Sequence, residues 1–133
     1  MIEAYRSAAE DAGRPPGEIL LQTGFSWAGS DSDALAGARV WKGAQPDEFY
    51  TGDWHDPQKM YERGAEQVSD DELSESFIIS SDPDEHAERI REVERMGATI
   101  VVLMNNSGAD PDGAIATYGK HVLPALRKQG AAR

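Results

Sequence analysis

The sequence contains no cysteine among its 133 residues. A disulfide framework, a thiol nucleophile and a cysteine-ligated zinc site are therefore excluded, and we expect a cytoplasmic location. No apolar run approaches the roughly 20 residues that a membrane-spanning helix needs. The first residues, MIEAYR, lack the apolar stretch of a signal peptide.

Basic residues are also scarce, since 13 Lys and Arg stand against 24 Asp and Glu, for a formal net charge of −11. A surface this negative repels phosphate backbones and anionic lipid, so we expect neither a nucleic-acid partner nor a membrane-surface partner. The hydrophobic share of 39% is ordinary for a soluble globular protein, and the length predicts one domain over residues 1–133.

The common catalytic motifs are missing as well. The chain has no G-x-G-x-x-G, no P-loop, no H-E-x-x-H and no G-x-S-x-G. Its three histidines, His55, His86 and His121, are too far apart in sequence to suggest a metal site, and we expect them in solvated or capping positions. The residues alone therefore identify no catalytic group and no metal site.

What the chain does contain is an alternation of helical and strand-like segments. Short apolar runs predict strands over 18–23, 77–80 and 99–104, and their uninterrupted character favours burial on both faces. The step Asp-Pro occurs three times and predicts helices that begin at Pro57, Pro83 and Pro111, with the aspartate as N-cap. Residues 43–56, rich in Gly, Pro and aromatic side chains, read as a long loop.

Helical spacing predicts which side chains face the core. It places Met96 on the buried side of the helix that begins at Pro83, and Ile115, Tyr118 and Val122 on the buried side of the last helix, up to Pro124. Trp41 falls at a core position of an earlier helix. Strands that alternate with helices predict an α/β fold with a parallel sheet. Three strands alone leave two open edges, so the chain reads as a piece of something larger.

Small polar residues follow two of the predicted strands. Asn105, Asn106 and Ser107 follow one strand, and Ser80 and Ser81 end another. The carboxyl ends of parallel strands are where α/β proteins bind ligands, so these residues are candidates for a binding site, with an ordinary turn as the alternative. Trp27 either lines the same site or packs in the core. The nearby Asp82 and Asp110 disfavour a bare phosphate.

Several stretches together resemble a known family. They are FIISSDPDEH at 77–86, GATIVVLMNNSGADP at 97–111 and YGKHVLPALR at 118–127, with YTGDWHDP at 50–57 and AAEDAGR at 8–14 in the same frame. In this order and spacing they resemble the C-terminal part of the luciferase-like monooxygenase superfamily. More narrowly, they resemble the coenzyme F420-dependent oxidoreductases of the glucose-6-phosphate dehydrogenase type.

The resemblance implies the C-terminal portion of a TIM (β/α)8 barrel, about three β/α units with parallel strands and helices outside. These would be barrel strands six to eight. It implies hydride transfer between a small organic substrate, with a sugar phosphate as one candidate, and coenzyme F420, with FMN as the alternative cofactor. The candidate residues Ser80, Ser81, Asn105, Asn106, Ser107 and Trp27 would then surround the mouth of the barrel. Most of the family's cofactor contacts and acid–base groups lie in the missing strands, so whether this chain alone is an enzyme stays open.

Two other functions stay open beside this one. A half-barrel could serve as a non-catalytic scaffold or ligand-binding protein that forms a homo-oligomer. A free-standing flavodoxin-like enzyme is a third reading, which the lack of a phosphate loop after the first strand disfavours. For the oxidoreductase fragment and for the scaffold, the open strand edges require a partner, either a missing N-terminal half or a second copy of the chain.

Overall fold

A computed structural model describes residues 1–130 of the chain, with the side chains of 128–130 left out of the description. It contains eight α-helices and three strands within this range. In chain order they are α1 (Ile2–Asp11), β1 (Leu20–Trp27), α2 (Asp31–Arg39), α3 (Glu48–Thr51), α4 (Pro57–Gln67), α5 (Asp70–Ser76), β2 (Phe77–Ser80), α6 (Pro83–Arg95), β3 (Ile100–Asn105), α7 (Pro111–Thr117) and α8 (Leu123–Gly130).

All three predicted Asp-Pro helix starts are confirmed. The carboxylates of Asp56, Asp82 and Asp110 accept hydrogen bonds from backbone N–H groups in the first turns of α4, α6 and α7. Ser30 and Ser69 cap α2 and α5 in the same way. Each such cap typically contributes about 1 kcal/mol, because it satisfies a donor that the helix leaves unpaired.

The sheet is entirely parallel, as predicted, and its strand order is β2-β1-β3. Strand β1 pairs along most of its length with β3, from Leu20 beside Ile100 to Phe25 beside Asn105. Only its carboxyl-terminal half pairs with β2, from Gly24 to Trp27. Successive barrel strands would lie in the order β1-β2-β3, so the central position of β1 is a feature that the sequence did not predict.

Helices pack on both faces of this sheet. Phe25 belongs to the main core cluster, with Ala87 and Ile90 of α6 and with Tyr118. The next residue, Ser26, points to the other face and donates a hydrogen bond to the carbonyl of Ala34 in α2 at 2.6 Å. The sequential neighbours Phe25 and Ser26 therefore anchor α6 and α2 on opposite sides of β1.

The face on the α2 side is covered only in part. Leu20, Ile100 and Met104 lie on this face and have 55%, 37% and 37% of their surface exposed. The prediction that the apolar strands are buried on both faces is therefore wrong for these positions within the described chain. Helix α2 packs against β1 and β2, and it leaves this part of the β1–β3 pair without a covering layer.

Several other predicted core positions are also exposed. Met96 is 66% exposed, Ile115 is 59% exposed and Trp41 is 39% exposed, whereas Tyr118 and Val122 are buried as predicted. Residues 118–122 widen into a π-helical turn in which the N–H of Leu123 donates to the carbonyl of Tyr118. Pro124 explains this widening, because proline lacks an N–H and its ring clashes with the carbonyl four residues earlier.

The predicted loop over residues 43–56 holds two short helical segments, a 3₁₀ turn at Lys42–Ala44 and the helix α3. Phe49 is buried in this loop and meets Trp54 edge to face, with ring centroids 4.9 Å apart. This contact orders the loop locally. In the part of the chain that the structure describes, no helix is long and apolar enough to cross a membrane.

Candidate functional site

The six residues proposed from the sequence lie together at the carboxyl edge of the sheet. The backbone N–H of Trp27, at the end of β1, donates to the Ser107 hydroxyl at 3.1 Å, which joins β1 to the loop after β3. The indole N–H of Trp27 donates to the carbonyl of Ser81 at 3.0 Å, which joins β1 to the end of β2. Trp27 thus lies between the two groups of polar residues and links them.

Most of these polar side chains are already used within the protein. The hydroxyl of Ser80 donates to Glu85 Oε2 at 2.7 Å and accepts from the N–H of Asp82 at 3.0 Å. Asn105 donates through Nδ2 to the carbonyl of Pro111 at 2.9 Å, and its Oδ1 accepts from the N–H of Ser107 at 3.1 Å. Ser80 and Asn105 therefore shape the loops that follow their strands, and their side chains hold little bonding capacity for a ligand.

Asn106 is the exception. Its side chain is 2% exposed, and neither Nδ2 nor Oδ1 has a hydrogen-bond partner. Its backbone N–H donates to the carbonyl of Phe25 at 2.7 Å, which holds the residue against the end of β1. A buried polar group without a partner lowers the stability of the folded state by about 1–3 kcal/mol. Unpaired buried amides such as this one are therefore rare in folded proteins.

A cleft of about 690 Å³ lies beside this amide, between α2 and the loop that follows β3. The loop approaches α2 very closely at two glycines. Gly108 has φ +65°, and a Cβ placed on it would be 2.7 Å from Gly37 Cα. A Cβ on Gly37 would in turn be 2.9 Å from the backbone carbon of Ser107. These glycines set the floor of the cleft, and the sequence offered no signal for Gly37 beyond a small residue inside a helix.

The carboxyl edge of the sheet is acidic. Asp31 accepts a hydrogen bond from the backbone N–H of Ser81 at 2.7 Å, and this bond lowers the pKa of the Asp31 carboxyl. Asp82 and Asp110 cap the helices that follow β2 and β3. Asp33 lines the cleft, and no Lys or Arg does among the described residues. This part of the edge therefore disfavours a phosphate group, in line with the acidic neighbours noted in the sequence.

A buried histidine lies directly behind the site. His86 is fully buried, so the expectation of a solvated or capping role is wrong for this histidine. Its Nε2 lies 3.0 Å from the carbonyl of Ser80, and its Nδ1 lies 2.8 Å from the hydroxyl of Tyr118. Because a carbonyl only accepts, Nε2 carries the proton and Nδ1 accepts from Tyr118. Burial lowers the pKa of His86 and raises that of Tyr118.

This histidine predicts a pH dependence of stability. The unfolded chain binds the His86 proton with a pKa of about 6.5, whereas the folded chain binds it more weakly. The contribution of His86 to the free energy of unfolding should therefore be fully present above about pH 7. The free energy should fall as the pH decreases below about 6.5, with a slope of at most about 1.4 kcal/mol per pH unit, the limit for one proton. Urea denaturation between pH 5 and pH 8 measures it.

The matched variant is His86→Gln, which removes the titrating group and should flatten this part of the profile. The carboxylates with lowered pKa values, among them Asp31 and Asp70, respond at more acidic pH and leave the window near neutrality to His86. Equal slopes for the parent and the variant would contradict the prediction.

A parallel sheet with polar loops and a cleft at its carboxyl edge defines a class, the α/β proteins that bind small ligands at strand ends. Comparison with known sequences narrows the class. A sequence model of the luciferase-like monooxygenase family matches residues 1–99, about three quarters of the chain. The chain belongs to this family.

Curated relatives extend the similarity to nearly the whole chain. An F420-dependent glucose-6-phosphate dehydrogenase of Microbacterium testaceum is 29% identical over 97% of the chain, and one of Nakamurella multipartita is 30% identical over 96%. A 5,10-methylenetetrahydromethanopterin reductase of Archaeoglobus fulgidus is 33% identical over 87% of the chain. The chain spans about 38% of the length of the first two relatives and 30% of the third.

A solved structure shows the same fold. An F420-dependent secondary alcohol dehydrogenase, in complex with an F420-acetone adduct, superposes with a TM-score of 0.83 at 23% identity. The match covers 94% of this chain and 38% of the dehydrogenase. The predicted fold class, a portion of a (β/α)8 barrel with parallel strands and surrounding helices, is confirmed by this match. The expectation of three successive barrel strands with helices only outside differs from the observed order β2-β1-β3 and from the helices on both faces of the sheet.

Proposed function

We propose that this chain forms the C-terminal part of a coenzyme F420-dependent oxidoreductase, which transfers a hydride between a small organic substrate and the deazaflavin. The observation that supports this most directly is the similarity over nearly the whole chain to relatives named for that cofactor. The fold supports it too, since the six candidate residues lie together at the carboxyl edge of the sheet, where barrel enzymes bind their ligands.

The described residues do not by themselves fit the cofactor. Ser80 and Asn105 have their hydrogen-bonding atoms engaged within the chain, and Ser107 accepts from Trp27. The amide of Asn106 has no partner but is buried, and no cation lines the cleft beside this residue among the described residues. We therefore assign no catalytic residue to this chain and propose that most of the cofactor contacts come from elsewhere. The alternative cofactor FMN would find the same lack of free hydrogen-bonding side chains and cations among the described residues.

The open face of the β1–β3 pair supports a missing partner. Leu20, Ile100 and Met104 expose apolar surface there, and the relatives are more than twice as long as this chain. Burying such surface yields about 25 cal/mol per Å², so it favours association with a further layer of protein. We propose that this layer is an N-terminal half that contributes the other barrel strands, supplied within one chain or by a second one. A cytoplasmic location belongs to the same proposal.

Sedimentation velocity with detection of the deazaflavin's absorbance tests the proposal. The purified chain is run with coenzyme F420, alone and together with the N-terminal portion of the Microbacterium testaceum relative. The chain matches 38% of that relative's length, which we propose is its C-terminal part. We expect a one-to-one complex that carries the cofactor, and little cofactor on the chain alone. The N-terminal portion without this chain is the control.

A different outcome would favour the scaffold reading. If the chain forms a defined homo-oligomer that binds no cofactor and ignores the added N-terminal portion, the open face is used for self-association. The oxidoreductase proposal would then fail. A hydride-transfer assay with a secondary alcohol and with glucose 6-phosphate follows only if the cofactor sediments with the complex. It compares an uncharged substrate with a phosphorylated one.

A further inference from the structure

The strand order opens a cleft at one point of the carboxyl edge. After β1 the chain passes to α2 on one face of the sheet, and after β3 it passes to α7, whose Ala114 belongs to the core cluster on the other face. In open α/β sheets, neighbouring strands whose connections leave on opposite faces form a crevice that binds ligands. The cleft of about 690 Å³ between α2 and the loop after β3 lies at this point.

One stripe of α2 forms a wall of this cleft. The stripe consists of Asp33, Ala36, Gly37, Val40 and Trp41, which recur at intervals of three and four along the helix and its C-terminal end. Asp33 is exposed, and Val40 and Trp41 are 60% and 39% exposed. The wall therefore presents a carboxylate at one end and, two turns or roughly 10 Å away, an apolar end with a flat indole.

The charges around the cleft favour a cation. Asp33 is the charged residue among the described lining, in a chain whose formal net charge is −11. Arg39 and Lys42, the cations nearest to it in sequence, both contact the carboxylate of Asp70, at 2.6 and 2.8 Å. The Asp33 carboxylate accepts a hydrogen bond from the hydroxyl of Ser30 at 2.7 Å, and a carboxylate has further lone pairs for an ammonium group.

We propose that this cleft binds an organic cation, an ammonium group joined to an apolar body that carries a ring. The ammonium group pairs with Asp33, and the ring lies against Val40 and Trp41. The floor between these two ends has no bulky side chain, because Gly37 and Gly108 are in close contact there. The site uses residues of this chain alone and does not depend on the deazaflavin.

Three probes that share a phenyl ring on a short alkyl chain test the preference for a cation. They are 4-phenylbutylamine, 4-phenylbutanol and 4-phenylbutyrate, and their binding to the full chain is measured by saturation-transfer NMR at about 0.15 M salt, which screens remote charges. We expect the amine to bind about fivefold more tightly than the alcohol, which forms no ion pair. The acid should bind more weakly than the alcohol, because it meets a like charge. Equal affinities of the amine and the alcohol, or no saturable binding of the amine, would overturn the proposal.

The variants Asp33→Asn and Asp31→Asn distinguish this site from a general attraction of cations to an acidic protein. Both remove one negative charge from the first turn of α2, but Asp31 is not among the residues that line the cleft and accepts from the backbone N–H of Ser81. Asparagine keeps an oxygen for the hydrogen bonds of either aspartate, so both variants should fold. We expect Asp33→Asn to lower binding of the amine about fivefold and to leave binding of the alcohol unchanged, with less than about a twofold effect of Asp31→Asn. Equal effects of the two substitutions would contradict a site at Asp33.

The variant Trp41→Leu tests the apolar end of the cleft. Loss of the indole removes a flat surface that packs against the phenyl ring of every probe. We expect the amine and the alcohol to lose affinity by a similar factor, about threefold, whereas Asp33→Asn affects the amine alone. Unchanged binding of both probes would show that the ring does not lie against Trp41, and the proposal would be wrong.

Discussion

Replacing Phe25 with alanine is expected to lower the free energy of unfolding by about 3–5 kcal/mol. Phe25 is 3% exposed near the carboxyl end of β1, and its ring centroid lies 4.1 Å from that of Tyr118 and 6.1 Å from that of His86. Alanine would leave a cavity between the sheet, α6 and the π-helical turn. A domain of this size typically has a free energy of unfolding of about 5–15 kcal/mol, so the variant should lose much of its stability. Urea denaturation at pH 8, where His86 is neutral, measures the loss.

Leu20→Ala is the matched control on the same strand. Leu20 lies on the open face and is 55% exposed, so its truncation should cost only about 0.5 kcal/mol. A cost comparable to that of Phe25→Ala would mean that the open face is buried in the protein in solution, which is the result expected of a homo-oligomer. The pair therefore tests the core and the exposure of the β1–β3 face in one experiment.

Replacing Gly108 with alanine is expected to destabilise the chain by about 2–4 kcal/mol, from two causes that add. The residue has φ +65°, a conformation that costs a non-glycine residue about 1 kcal/mol. The new Cβ would also lie 2.7 Å from Gly37 Cα, a backbone atom that moves only if α2 moves. Thermal unfolding followed by circular dichroism gives the loss.

Gly13→Ala separates these two causes. Gly13 has the same φ of +65°, at the end of α1, but nothing lies within 4 Å of the position of a Cβ. Its substitution should show the conformational cost alone, about 1 kcal/mol. Equal losses for Gly13→Ala and Gly108→Ala would show that α2 and the loop move apart freely, which would contradict a rigid floor to the cleft.

Local signals account for what the sequence predicted well. The Asp-Pro steps mark helix starts because a cap uses atoms within three residues of each other. The apolar runs identify the strands, and the rule that parallel strands end at one edge brings Trp27, Ser80 and Asn105 together. Each of these predictions needs only neighbouring residues or a general property of parallel sheets.

The errors arise where a prediction depends on a covering layer. The helical period that placed Met96 and Ile115 on a buried face gives the direction of a side chain but not whether anything packs there. The apolar runs of β1 and β3 do not show whether a second layer covers them. A strand suited to burial on both faces has the same sequence pattern with or without that layer. Leu20 and Met104 are exposed because α2 covers another part of the sheet.

The sequence by itself therefore determined the alternating elements, their caps, the parallel sheet and the set of residues at its carboxyl edge. Only the tertiary structure decided the strand order β2-β1-β3, the burial of His86, and the difference between the engaged Asn105 and the unpartnered Asn106. The physical reason is sequence separation. Caps and strands form from residues a few positions apart, whereas these features depend on contacts between segments tens of residues apart, which no local pattern specifies.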